Sequence, residues 1–258
     1  MEKKRYHFTE AYLLNPVHPI NVTLIGAGGN GSQMLSVLAR MHISLIQMEH
    51  PGLYVSVFDQ DVVERTNIGR QLFTAADLGF NKANCLVSRF NRIYGLNWKA
   101  IPYKWASEHN TSANIIITCV DNIKTRLDVG KAMKFEKKKL HTSPEYRTYY
   151  WLDLGNAQKT GQVILGSSPI NQPKSKKFDS ISELPLVTDM HDLTQQKDED
   201  SGPSCSLAEA LEKQDLFINS TLAQAAGSLL WNLIRGPYIE TRGFYLNLEK
   251  MRMNPVNV

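Results

Sequence analysis

The chain has 258 residues, of which 42% are hydrophobic, and a formal net charge of +4. This length can bury one α/β core with additions, and a weak basic charge spread over the whole chain does not predict a nucleic-acid partner. The three cysteines contain no Cys-x-x-Cys pair, which excludes a disulfide framework and a four-cysteine zinc site, so no zinc is expected. We recognise neither a signal peptide nor a membrane span, and we expect a soluble, cytoplasmic protein without a membrane partner.

The first part of the chain alternates between predicted strands and helices. A strand over 20–26, a helix over 30–47 and a strand over 53–59 form one β-α-β unit. A helix over 81–95 and a strand over 97–104 follow. This alternation predicts a parallel sheet.

A continuous apolar run over 113–121 predicts a strand that is buried on both faces, as in parallel sheets, and it ends at Asp121. A helix over 124–137 is predicted to follow. Its position continues the alternation of the preceding units.

The second part of the chain has a different pattern. Two strands, over 149–156 and 161–168, are joined by a short turn and predict an antiparallel addition to the sheet. The segment 169–204 predicts a long crossing loop, 206–236 is predicted to be helical, and 243–250 a closing strand.

Together these elements predict a Rossmann-like α/β fold. Its mostly parallel, doubly wound sheet is extended by antiparallel strands and followed by a C-terminal helical segment and strand. We expect one domain over 1–258, with a nucleotide-binding part over 1–145 and the extension over 146–258.

A glycine-rich turn joins the first predicted strand to the first long helix. Gly26, Gly28 and Gly31 have the spacing Gly-x-Gly-x-x-Gly. Glycine lets the backbone turn tightly and approach a phosphate, and the free N–H groups at the helix N-terminus bind the anion. The strand and helix on either side favour a nucleotide site over a merely tight turn.

A carboxylate and four polar side chains follow the second strand. Asp59 stands where a carboxylate accepts hydrogen bonds from the ribose hydroxyls of either NAD or ATP. Asn67, Arg70, Gln71 and Lys82 come after it. Each alone would be interpreted as a solvated surface residue, but together they favour ATP, because cationic donors neutralise the charge that develops on the α-phosphate and on departing pyrophosphate.

The order of these residues closely resembles the adenylation domain of the ThiF/MoeB/HesA family, the bacterial relatives of ubiquitin-activating enzymes. The resemblance covers roughly 20–130, from the glycine turn through Asp59 to the sequence CVDN at 119–122. The stretches 152–166 and 203–231 look like the members of that family that accompany PRTRC plasmid gene clusters.

This resemblance implies ATP and Mg²⁺ as cofactors. Gly29 would approach the phosphates, Asp59 would bind the ribose, and Asp121 would hold the Mg²⁺ ion that bridges the ATP. The implied nucleotide-binding residues are Gly26, Gly28, Gly29, Gly31, Asp59, Asn67, Arg70, Gln71, Lys82, Asp121 and Asn122. The implied catalytic residues are Arg70, Lys82, Asp121 and Cys205, and the implied metal ligand is Asp121.

Physical reasoning leaves some of these roles open. A carboxylate at the end of a central parallel strand lies in the ligand-binding crevice of a doubly wound sheet, and Mg²⁺ prefers oxygen ligands. Asp121 could also cap the following helix, either in place of holding Mg²⁺ or in addition to it. Gln71 and Arg126 could support the site without contacting ATP.

The implied reaction is adenylation. A C-terminal carboxylate oxygen of a small ubiquitin-like protein attacks the α-phosphate of ATP, and pyrophosphate leaves. Cys205, just before a predicted helix, is a candidate for a second step in which its thiolate attacks the adenylate. Cys85 and Cys119 lie in apolar patterns and are expected to pack as small hydrophobic residues.

The resemblance also implies a homodimer, in which Arg5 is a loose candidate for a residue that reaches the partner's site. Two alternative functions remain open. One is a Rossmann oxidoreductase that uses NAD or FAD, and the other is a non-catalytic ATP-binding scaffold in a plasmid-linked complex.

Overall fold

The computed structural model describes residues 3–107, 113–136, 143–190 and 214–258. Its strands are β1 Arg5–Phe8, β2 Ile20–Ile25, β3 Leu53–Phe58, β4 Lys99–Ile101, β5 Ile115–Thr118, β6 Tyr150–Asn156, β7 Thr160–Ser167, β8 Asp179–Ser180, β9 Tyr238–Ile239, β10 Thr241–Asn247 and β11 Arg252–Asn257. Its helices are α1 Ala11–Leu14, α2 Gly29–Gln47, α3 Lys82–Tyr94, α4 Ile123–Glu136, α5 Val187–Met190 and α6 Ile218–Arg235.

A single large sheet organises the described part of the chain. Its strand order is β11-β10-β7-β6-β5-β2-β3-β4. The strands β4, β3, β2, β5 and β6 run parallel to one another, and β7, β10 and β11 add antiparallel strands beyond β6. A small second sheet, in the order β8-β1-β9, lies beside it.

Apolar layers cover both faces of the large sheet because neighbouring residues of a strand point to opposite faces. On β5, Ile115 and Ile117 pack into one cluster with side chains of α2, α3 and α6. Ile116, between them, packs into a second cluster with Val129 and Met133 of α4. The sheet is therefore covered by helices on both sides, which confirms the predicted doubly wound arrangement.

The structure extends the sequence prediction in its second part. The antiparallel pair β6 and β7 is confirmed, but the predicted closing strand is the first strand of a hairpin, since β10 pairs with β11. The predicted crossing loop contains β8 and α5. The helix predicted over 206–236 begins at Ile218 within the described residues, and 206–213 lie outside them.

The N-terminal strand β1 was not predicted. It is four residues long and pairs with two strands of two residues each, so it offers no alternating pattern long enough to recognise. His7 anchors it, because this buried ring hydrogen-bonds to the Ile181 carbonyl and the Tyr150 hydroxyl. Among the described helices, none is both long and apolar enough to cross a bilayer.

Candidate nucleotide-binding site

The strand order reverses beside β2, which has β3 on one side and β5 on the other. Ligands of doubly wound sheets bind in the crevice beyond the carboxyl ends of the strands at such a reversal. The Gly26 N–H donates to the Phe58 carbonyl at 2.9 Å, and the Cys119 N–H donates to the Ile25 carbonyl at 2.8 Å. These bonds bring the glycine turn close to the segments that follow β3 and β5.

Close backbone packing explains the glycines of the turn. Gly26 has a φ of +93°, a conformation that other residues rarely adopt. A Cβ on Gly31 would lie 1.9 Å from the Gly26 carbonyl oxygen. The strand and α2 can therefore approach this closely only with glycine at both positions. The N–H groups in the first turn of α2 have no partner within the helix and form an anion-binding end.

The Asp59 carboxylate holds the glycine turn from the neighbouring strand. Its Oδ2 accepts a hydrogen bond from the Ala27 N–H at 2.6 Å, and its Oδ1 accepts one from the Asp61 N–H at 2.8 Å. Burial raises the pKa of Asp59, and the two hydrogen bonds and nearby Lys82 offset only part of this effect. The carboxylate therefore has a structural task, and its contact with a ribose remains a prediction.

Lys82 is bound to the segment that follows β3. Its backbone N–H donates to the Asp61 carbonyl at 2.9 Å, and its Nζ lies 3.3 Å from the Asp61 carboxylate. Lys82 is only 9% exposed. Asn81 caps α3 by accepting from the Asn84 N–H, and its amide also donates to the Asp59 carbonyl. Lys82 thus brings a partly neutralised positive charge to the edge of the crevice.

Asn67 has a local partner. It ends the short 3₁₀ helix Arg65–Asn67, and its side-chain oxygen accepts a hydrogen bond from the Glu64 N–H at 2.8 Å. This bond leaves the two amide N–H donors of Asn67 for other groups. The structure thus gives Asn67 a turn-stabilising role beside its predicted contact with phosphate.

Arg70 has no acidic partner among the residues that the structure describes. Its Nη1 donates to the side-chain oxygen of Gln214, while its Nε is buried and has no hydrogen-bond partner in the described part of the chain. Burial lowers the pKa of Arg70, because partial removal from water disfavours the charged guanidinium. An anion bound beside it would supply a compensating negative charge.

Gln71 lies against the glycine turn. Both polar atoms of its side-chain amide are 3.9 Å from the position that a Cβ on Gly28 would take. Gln71 is 9% exposed, and its Oε1 is buried with no hydrogen-bond partner within 3–107, 113–136, 143–190 or 214–258. Buried polar atoms are usually hydrogen-bonded, so this amide and the Arg70 Nε mark an incomplete polar site at the turn.

Asp121 and Asn122, which follow β5, have different roles. The Asn122 side chain accepts a hydrogen bond from the Thr125 N–H at 2.9 Å and so caps α4. The alternative in which Asp121 is the cap is therefore wrong. Asp121 is exposed at the edge of the crevice. One exposed carboxylate fits Mg²⁺, which proteins commonly bind through one or two carboxylates together with substrate phosphates.

A model of the ThiF family matches residues 12–257. The chain belongs to the ThiF family. This assignment agrees with the glycine turn, the carboxylate and the cations that the fold brings to one crevice.

Two curated relatives match about half of this ThiF-family chain. Ubiquitin-activating enzyme E1 1 of Schizosaccharomyces pombe is 28% identical over 135 residues, which cover 47% of the chain and 13% of that protein. Ubiquitin-like modifier-activating enzyme 5 of Oryza sativa subsp. japonica is 23% identical over 134 residues, which cover 45% of the chain and 30% of that protein. The matched segments are thus less than one third of the relatives' own lengths.

Solved structures support the fold. E. coli MccB in a crystal structure with AMPCPP and MccA has a TM-score of 0.59 and 13% identity, covering 92% of this chain and 63% of that one. PaaA has a TM-score of 0.57 and 15% identity, covering 92% and 64%. At such identities the likeness shows the shared Rossmann-like architecture.

The ThiF-family chain also contains a buried ion pair that sequence reasoning did not find. The Arg126 Nε donates to Asp153 Oδ1 at 2.9 Å, and the Thr118 hydroxyl donates to the same oxygen. Trp151 donates to the Thr118 hydroxyl in turn. Arg126 thus joins the first turns of α4 to β6, which favours the supporting role considered for it. A single aspartate within the apolar run of β6 was the available signal.

Two of the three cysteines, Cys85 and Cys119, lie among the residues that the structure describes. Cys85 and Cys119 are partly buried and pack against the core, as expected. Burial raises the pKa of both thiols, and Asp77 near Cys85 and Asp153 near Cys119 raise it further. Both sulfurs therefore stay protonated at neutral pH and are poor nucleophiles. Cys205 lies outside the described residues.

Proposed function

We propose that this ThiF-family protein binds ATP with Mg²⁺ and adenylates the C-terminal carboxylate of a small protein or peptide. The observation that carries the proposal is Arg70, a partly buried guanidinium with no acidic partner in the described structure. It is linked through Gln214 to Asn219 at the start of α6. Asn219 lies against Gly29 at the start of α2, where the N–H groups that have no partner within the helix favour the same anion.

Each predicted side chain has a part in this proposal. Arg70 and Lys82 stabilise negative charge on the phosphates, which adenylation increases on the α-phosphate and on the leaving pyrophosphate. Asp59 accepts hydrogen bonds from the ribose with the lone pairs that its backbone contacts leave. Asp121 holds Mg²⁺, which supplies further neutralisation when it is bound. Such a site acts through orientation and charge and needs no protein nucleophile in this step.

The names of the similar proteins support the class of acceptor. They include two activating enzymes for ubiquitin or a ubiquitin-like modifier and an MccB crystallised with MccA. We propose a small ubiquitin-like protein, bound through its C-terminal tail, as the partner of this chain. The homodimer, the cytoplasmic location and the PRTRC subgroup are parts of the same proposal.

Cys205 is proposed as the acceptor in a second step. Its thiolate would attack the acyl carbon of the adenylate, forming a thioester while AMP leaves with the bonding electron pair. Because this step follows adenylation, Cys205 is not needed for ATP binding.

The first test is isothermal titration of ATP with Mg²⁺, beside NAD, into the wild type and three variants. Arg70→Ala and Asp121→Ala are each expected to weaken ATP binding by about tenfold or more, because each removes one charged contact with the phosphates or their metal. Cys205→Ser is expected to bind ATP like the wild type.

Arg92→Ala is the matched control for Arg70, since Arg92 is an exposed arginine in the last turn of α3. It should leave ATP binding unchanged. Binding of NAD in place of ATP, or ATP binding that is insensitive to both Arg70→Ala and Asp121→Ala, would overturn the proposal. Pyrophosphate exchange that depends on a ubiquitin-like protein would then separate an adenylating enzyme from an ATP-binding scaffold.

A further inference from the structure

The start of α6 reaches the glycine turn, although α6 begins almost 190 residues later in the sequence. Asn219, in the first turn of α6, is 1% exposed. Three atoms of its side-chain amide lie 2.6 to 2.8 Å from the position that a Cβ on Gly29 would take. Asn219 therefore fills the space that Gly29 leaves open beside the start of α2.

Gln214 connects this asparagine to Arg70. Its side-chain oxygen accepts one hydrogen bond from the Arg70 Nη1 and another, at 3.1 Å, from the Asn219 Nδ2. A carbonyl oxygen has two lone pairs, and this oxygen uses both. The position of the guanidinium thus depends on the residues at the head of α6.

Two buried polar atoms, one on each side of this link, have no hydrogen-bond partner among the residues that the structure describes. They are the Arg70 Nε and the Asn219 Oδ1. Leaving such atoms unpaired costs free energy in a folded protein, and sites of this kind are completed by a ligand or by ordered water. The unpaired N–H of Arg70 can donate to a phosphate oxygen, and the unpaired oxygen of Asn219 can accept from bound water.

We infer that Gln214 and Asn219 are positioning residues of the nucleotide site and that they hold the Arg70 guanidinium toward the phosphates without cancelling its charge. This inference rests on the proposed function. A neutral amide suits the task because it fixes one N–H of Arg70 and leaves the net positive charge for the ligand. A carboxylate at residue 214 would fix the same N–H but would neutralise the cation and repel phosphate.

The test measures ATP binding with Mg²⁺ by isothermal titration for Gln214→Ala, Gln214→Glu and Asn219→Ala. Gln214→Ala and Asn219→Ala are expected to weaken binding by roughly fivefold to tenfold, because the guanidinium loses its fixed position. Gln214→Glu is expected to weaken binding by more than about tenfold, although it keeps the acceptor for Arg70. A purely structural role would be rescued by glutamate.

Two further comparisons test whether Gln214 affects ATP binding through Arg70. In an Arg70→Ala background, Gln214→Ala should have no additional effect on ATP binding, because the group that Gln214 positions is gone. Gln224→Ala is the matched control, since Gln224 is also on α6 but pairs with Arg40 at the exposed surface. It should bind ATP like the wild type. Thermal unfolding without nucleotide shows that each variant is folded.

The outcomes separate this inference from the proposed function. If the wild type binds ATP in an Arg70-dependent way but Gln214→Glu binds equally well, the inference is wrong and the function stands. The inference is also wrong, and the function again stands, if Gln214→Ala keeps its full effect in the absence of Arg70. If the wild type binds no ATP, the proposed function fails, and the inference fails with it.

Discussion

At the scale of single residues, Asp59 shows how burial and hydrogen bonding compete. Removal from water raises its pKa, while the Ala27 and Asp61 N–H groups favour its ionised form. Asp128, on α4, shows the opposite balance, because its contact with Lys124 lowers its pKa. The two carboxylates therefore affect stability with opposite signs as the pH falls.

We predict that Asp59→Asn lowers the free energy of unfolding at neutral pH by about 1 to 3 kcal/mol, because the amide has one oxygen for the two N–H donors of Ala27 and Asp61. Since the pKa of folded Asp59 lies above its ordinary value of 3.8, the folded state binds the proton more tightly. The advantage of the wild type over Asp59→Asn should therefore grow as the pH falls through the folded pKa and be complete below 3.8.

Urea unfolding of both proteins between about pH 4 and pH 7.5 checks this prediction. Asp128→Asn is the control, and the wild type's advantage over it should shrink as the pH falls, since the pKa of Asp128 is lowered in the fold. An Asp59→Asn difference that is constant or shrinks toward low pH would contradict the prediction.

The sequence predicted which residues surround the crevice but could not distinguish their roles. The spacing of the glycines and the position of Asp59 at a strand end predicted the turn and its carboxylate. The cap of α4 is Asn122 instead of Asp121, which depends on a hydrogen bond that sequence does not resolve. Gln214 was missed because its hydrogen bond with Arg70 joins segments that are far apart in the chain.

At the scale of elements, the Arg126–Asp153 ion pair joins α4 to β6 of the large sheet. Both side chains are largely buried, with exposures of 12% and 1%. The Lys124–Asp128 pair lies on the surface of the same helix. The helix thus carries a buried and an exposed ion pair, and each can be removed by the same kind of substitution.

We predict that Arg126→Met lowers the free energy of unfolding by about 3 to 5 kcal/mol, because it leaves the Asp153 carboxylate buried without its cation. Lys124→Met should cost less than about 1 kcal/mol, since water screens the exposed pair. Urea unfolding at neutral pH measures both changes. Equal losses for the two variants would show that the buried pair does not stabilise the junction of α4 and β6.

At the scale of the whole molecule, α6 joins the C-terminal part of the chain to the nucleotide-binding part. A Cβ on Gly227 would lie 2.3 Å from a methyl group of Val37, so α6 and α2 pack closely at this glycine. The head of the same helix carries Asn219 to the glycine turn. The position of one helix therefore links stability to the geometry of the site.

We predict that Gly227→Ala lowers the free energy of unfolding by about 1 to 3 kcal/mol, because the added methyl group overpacks a buried contact. It should also weaken ATP binding, because displacement of α6 shifts the residues that hold Arg70. Urea unfolding and isothermal titration measure the two effects.

Gly95→Ala provides the control for Gly227→Ala. Gly95 caps α3 at a φ of +64°, and a Cβ there meets no atom within 4 Å. This variant should lose about 1 kcal/mol through backbone strain alone and keep its affinity for ATP. A Gly227→Ala protein that loses stability but binds ATP normally would show that α6 does not control the site.

The sequence by itself determined the parallel half of the fold, the glycine turn and the position of Asp59 beside that turn. Strand and helix periodicity, glycine spacing and strand ends are local signals, and they act within a few residues. Only the tertiary structure decided that β10 and β11 form a hairpin at the sheet edge, that Asp153 neutralises Arg126, and that α6 reaches the glycine turn. These features depend on contacts between distant segments, whose partners are chosen by packing and burial of the whole chain.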